Sequence, residues 1–134
     1  MTSKVEYLGD LRTQNTHLSS GDSYRTDAPT DNHGKGEAFS PTDTVATALG
    51  NCILTTLGIK LGAEDLQLVG ATVDITKTMA AHPRRISKID ALVHFPKDYD
   101  QKTKRILEHT ARHCPVINSL HPDIELNISF TYKN

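Results

Sequence analysis

The stretch that decides the fold is FSPTDTVATALGNCILTTLGI, residues 39–59. Ser40 suits a helix N-cap, Pro41 the first helical position and Asp43 the third, where a negative charge meets the positive helix end. Val45, Leu49, Cys52, Ile53, Leu57 and then Leu61 recur at the 3.6-residue period with few charges between them. Gly50 and Gly58 lower the intrinsic propensity, so packing has to hold the segment. The reading is a buried central helix over 41–61, ending near Gly62.

On the N-terminal side, KVEYL and LRTQNTHL are strand candidates separated by Gly9-Asp10, which sits at hairpin spacing. Residues 19–40 are rich in Gly, Asp, Ser and Pro and read as loop, with room for a short strand at YRTDA. So long a loop in a compact domain points to function or mobility.

On the C-terminal side the period changes to two. From about Leu66 to Met79, Ala71, Val73 and Ile75 face one way, and Thr72, Asp74 and Thr76 the other. A second strand from Arg84 to Phe95 puts Ile89, Ala91, Val93 and Phe95 on one face, and MAAHPRR is short enough to link the two as a hairpin. A helix is expected from Asp100 to Cys114, with Thr103, Ile106, Leu107, Thr110, Ala111 and Cys114 inward and Pro115 as its stop. IELNISFTY then alternates without a break. This order argues for an α+β fold, residues 1–134 as a single domain, with antiparallel sheets around the central helix.

The totals fit. The chain has 134 residues and is 37% hydrophobic and 23% charged, which suits one globular core. Fifteen basic and sixteen acidic residues leave a net charge of -1, so charge gives no reason to expect a nucleic-acid or anionic-membrane partner. MTSKVEYLGD has no apolar run of the signal-peptide kind, and no stretch approaches the roughly 18 apolar residues of a membrane span. The expectation is a soluble, cytoplasmic protein.

Cys52 and Cys114 are the two cysteines, and in a reducing compartment they are inert core thiols or reactive ones rather than a permanent staple. A thiol reacts as thiolate. Cys52 lies mid-helix, where burial alone silences it and the helix dipole is too distant to help. To act as a nucleophile it needs an imported cation, with Arg25 the first choice and Arg84 and Arg85 behind it. Cys114, read at a helix C-terminus, is the poorer first nucleophile and the better second one. Spacing alone does not separate redox chemistry from core packing.

Three segments carry a resemblance. Residues 39–59 resemble the central helix of the OsmC/Ohr family (osmotically inducible protein C and organic hydroperoxide resistance protein). LEHTARHCPVINSLHP, residues 107–122, is similar to the second cysteine motif of that family, and KTMAAHPRRI, residues 77–86, to its hairpin. The resemblance implies an intertwined homodimer. It also implies a thiol peroxidase protecting against oxidative stress, with no metal or cofactor. Cys52 attacks an organic hydroperoxide, Cys114 resolves the product to a disulfide, and a small or lipoyl-type dithiol reduces it. The family also uses an Arg and a Glu beside the thiolate. Arg25 is the nearest match for the Arg, and Asp43 stands near the place of the Glu, where it serves equally well as a helix cap. That departure leaves a second expectation open: a redox sensor or apolar-ligand binder without efficient turnover.

Other readings are weaker. His113, Cys114 and His121 match no compact zinc spacing. TDNHGKGE lacks the phosphate-loop spacing. Tyr24, Phe39 and Tyr132 suit either an alkyl pocket or ordinary core packing.

Overall fold

The computed structural model describes all 134 residues. The chain forms two compact units, Met1–Val45 and Ala46–Asn134.

In the first unit, β1 (Ser3–Gly9), β2 (Arg12–His17) and β3 (Ser23–Asp27) form an antiparallel sheet in sequence order. Asp10 and Leu11 make the first turn with φ of 53° and 61°. Two successive positive φ values match the twist of a tight hairpin. The turn therefore lies one residue beyond the expected Gly9-Asp10, and Gly9 closes the strand. YRTDA does add a strand. The chain then makes a single 3-10 turn at Thr30–Asn32 and returns, so that the Asp27 amide donates to the Phe39 carbonyl at 3.0 Å. β1 buries almost nothing: Val5 is 61% and Tyr7 66% exposed.

Helix α1 (Pro41–Leu61) leaves the first unit and runs into the second. Its inward stripe is Ala46, Leu49, Gly50, Ile53 and Leu57. Val45, expected on that stripe, is 43% exposed, and Ile59 is 75% exposed. The helix is apolar on more than one side, so periodicity alone does not choose which side packs inward. Gly50 lets the helix approach the sheet, since a Cβ there would sit 3.3 Å from Ile75 Cγ1. A 3-10 run, Gly62–Leu68, follows and takes up the start of the strand expected from about Leu66, which begins at Thr72 instead. By length and mean hydropathy, 1.3, the helical run Pro41–Leu68 meets the composition of a membrane span, although its apolar residues are interrupted by polar ones.

The second sheet has the order β4 (Thr72–Ala80), β5 (Arg85–Phe95), β6 (Glu125–Tyr132). The β4–β5 pair is the expected antiparallel hairpin. The β5–β6 pair is parallel, which corrects the purely antiparallel expectation. Parallel neighbours need a long crossover, and α2 (Gln101–Ala111) with α3 (Pro115–Ser119) supplies it. The faces fall as the alternation requires. Ile89, Ala91, Val93 and Phe95 are buried with Leu49, Ile53, Leu57, Leu107 and Ala111 in one core. The fold class remains α+β.

Helix α2 starts where expected, with the Asp100 carboxylate accepting from the Thr103 amide at 2.7 Å. It ends earlier than expected, at Ala111. Cys114 does not lie at its C-terminus; it has extended backbone and stands at the N-cap position of α3. Pro115 is the reason: it blocks helical backbone at the preceding residue and favours the first position of the next helix.

Candidate functional site

Cys52 and Cys114 are both free thiols and lie close enough for their side chains to interact. They reach that position from different elements, Cys52 from the middle of α1 and Cys114 from the break between α2 and α3. Their accessibility differs: Cys114 is fully buried, whereas Cys52 is partly exposed. Burial pushes the Cys114 thiol above its usual range. The neighbouring Cys52 thiol pushes the same way, while the Ile117 and Val116 amides oppose. Those amides belong to the first turn of α3, so the helix dipole near Cys114 has the opposite sign to the one expected. Burial wins, and Cys114 remains the poorer first nucleophile for that reason instead. Thr56 Oγ1 lies 3.8 Å from Cys52 Sγ, one turn further along α1.

The other expected residues are placed as follows. Arg25 is on β3 in the first unit, where its Nε donates to Gln14 Oε1 at 3.2 Å. Arg85 donates to the carbonyls of Ala81 (3.0 Å) and Pro83 (2.9 Å), so it pins the β4–β5 turn. Asp43 and Ser40 form a reciprocal cap. The Asp43 carboxylate accepts from the Ser40 amide at 3.0 Å, and the Ser40 hydroxyl accepts from the Asp43 amide at 3.0 Å. Tyr132, one of the pocket candidates, is held in the core. Its ring stacks on Phe95 at 4.9 Å, and its hydroxyl donates to Glu108 at 2.6 Å. Tyr24 and Phe39 are exposed by about half.

One charged group was not anticipated. Asp27, only 1% exposed, accepts from the Glu37 amide at 3.0 Å and faces the Arg12 guanidinium at 3.5 Å; Arg12 also reaches Glu37 at 3.3 Å. The Glu37 amide first, and Arg12 after desolvation is overcome, hold the Asp27 carboxyl below its usual range. The pairing of Arg12 with Asp27 follows from the β2–β3 register. No local sequence signal gives that register or the return of the loop over Asp27.

Residues 34–129 match the family described as OsmC-like protein, a span of more than half the chain that includes both cysteines. The chain belongs to the OsmC family. A protein of Psychrobacter arcticus 273-4, provisionally described as an osmotic stress induced and detoxification response protein, is 49% identical. It aligns over 98% of this chain and 96% of its own, with a TM-score of 0.93. An organic hydroperoxide resistance protein OsmC from Legionella pneumophila shares the fold at 15% identity, covering 98% and 97% of the two chains with a TM-score of 0.75. A Vibrio cholerae protein, provisionally assigned to organic hydroperoxide resistance and holding captopril in one active site, shares it at 14% identity. There the coverage is 97% and 91% and the TM-score 0.72. No curated protein matches the sequence. The chain thus shares its fold, over nearly its whole length, with proteins named for organic hydroperoxide resistance.

Proposed function

We propose that the protein is a thiol peroxidase acting on organic hydroperoxides. The observation that carries this reading is the adjacent pair of unequal thiols, one accessible and one buried. The Cys52 thiolate attacks the outer oxygen of the hydroperoxide, the O–O bond breaks, and the alcohol leaves with a proton. Cys52 is then a sulfenic acid. Cys114 attacks its sulfur, water departs, and a disulfide forms. A small or lipoyl-type dithiol reduces that disulfide to two thiols and is itself oxidised to a disulfide. The pair needs no metal or cofactor for these steps. A cation that favours the Cys52 thiolate is part of the proposal, with Arg25 as the first arginine to substitute.

The test is turnover of cumene hydroperoxide with dihydrolipoamide. Full activity in Cys52→Ser would reject the assignment. The capping bonds of Asp43 favour a second reading, a redox sensor without an acidic partner for catalysis. One stoichiometric Cys52–Cys114 disulfide per peroxide, with no cycling when dithiol is present, would establish that reading.

The assembly proposed is a homodimer. Its support is the exposed apolar surface: Val5 and Tyr7 on β1, Ile59 at 75% on α1, and Val69 at 70%. Sedimentation equilibrium giving a monomer at micromolar concentration would remove this part.

A further inference from the structure

The C-terminal end of α2 carries a pair of imidazoles that the peroxidase reading does not use. His109 and His113 are four residues apart, both exposed, and their rings lie 4.3 Å apart with a 32° tilt. His113 Nδ1 lies 2.7 Å from the His109 carbonyl oxygen. A carbonyl only accepts, so Nδ1 carries the hydrogen and Nε2 is left with its lone pair. A backbone carbonyl behind one ring nitrogen is the usual support for an imidazole that binds metal through the other. The His109 ring makes no hydrogen bond to the protein, so either of its nitrogens is available.

The surroundings also favour a cation. The last carbonyls of α2 gather here: those of Glu108 and His109 accept from the Arg112 amide, and that of Thr110 from the His113 amide. This is the negative end of the helix dipole. Arg112, the nearest basic neighbour in sequence, turns away. It donates to the Ile128 carbonyl at 3.1 Å and lies over the Phe130 ring. Arg105, one turn before His109, is the charge that opposes binding.

We infer that His109 and His113 form a surface site for a borderline divalent transition-metal ion, of the nickel(II), copper(II) or zinc(II) class. Imidazole nitrogen selects that class over calcium or magnesium. With two protein ligands, water fills the remaining positions, so the metal exchanges readily. This site is independent of the thiol chemistry.

The test is calorimetric titration of the full-length protein with nickel(II) chloride at pH 7.5, where nickel does not oxidise thiols as copper does. Loss of a supporting partner alone weakens metal sites by about 10–100-fold, so His109→Gln and His113→Gln should each weaken binding by about tenfold or more. His121→Gln should bind as the parent does. Nickel should also broaden the His109 and His113 ring signals in proton NMR before those of His94 and His121, which checks the site without a variant. Unchanged affinity in both histidine variants, broadening at other histidines first, or loss of binding in Cys52→Ser would each overturn the assignment.

Discussion

Replacing Asp43 separates its two possible jobs. In the structure its carboxylate accepts from the amide of Ser40, a residue only 1% exposed. Asp43→Ala removes that acceptor. Leaving a buried amide unsatisfied costs about 1–3 kcal/mol, and losing a negative charge from the first turn costs about 0.3–1 kcal/mol more. The expected loss is about 2 kcal/mol. Unfolding entropy of about 2.1 cal/mol/K per residue over 134 residues gives about 0.28 kcal/mol/K, so the melting temperature should fall by about 7 °C. Asp43→Asn keeps an acceptor oxygen in nearly the same place and loses only the charge, so its melting temperature should fall by about 2 °C. Thermal unfolding followed by circular dichroism reads both. Peroxide turnover of the Asn variant, measured well below its melting temperature, should stay within about threefold of the parent. Equal destabilisation by Ala and Asn would refute the acceptor argument. A folded Asn variant slowed a hundredfold would show that the carboxylate takes part in the chemistry.

Cys114→Ser should consume one equivalent of peroxide and stop, leaving a Cys52 sulfenic acid that dimedone traps for mass spectrometry. Gly50→Leu should lose about 2–3 kcal/mol in urea unfolding, because its side chain meets Ile75 at the closest approach of α1 to the sheet; Gly50→Ala should be near neutral, as about 1 kcal/mol of helix propensity offsets the overlap. The lowered Asp27 carboxyl contributes stability that is complete above the unfolded value of 3.8 and is lost as pH falls through the folded value; Asp27→Asn should flatten that part of an acid unfolding curve. The raised Cys114 thiol acts at the other end: its contribution is complete below 9.0 and is lost as pH climbs through the folded value, a slope that Cys114→Ser should remove from alkaline melts.

Much of the second unit was legible because its periods are clean. Val73 and Ile75 against Thr72 and Asp74 define the faces of β4, and Ile89 to Phe95 the buried face of β5. The direction of β6 was not legible, since alternation is the same in parallel and antiparallel strands. The end of α2 was misplaced because Ala111 and Cys114 share helical spacing, while the effect of Pro115 on the residue before it decides the break. The two cysteines were identified through family resemblance, and the structure adds their proximity and unequal burial. The Arg12–Asp27–Glu37 group stayed hidden because three segments have to fold before its charges meet.

The parallel pairing of β5 with β6 also orders events in time. The β4–β5 hairpin closes a short loop, whereas β6 pairs with β5 only after residues 96–124 have been laid across. Loop-closure entropy has to be overcome before that distant pairing gains anything, so its contacts form late. The hairpin is thus the natural nucleus, and β6 joins after the rate-limiting barrier. Damage to the β4–β5 pairing, such as Val93→Ala, should slow refolding. Damage to β6, such as Ile128→Ala, should leave the refolding rate nearly intact and speed unfolding instead. The lifetime of the folded state is therefore governed from the β6 edge.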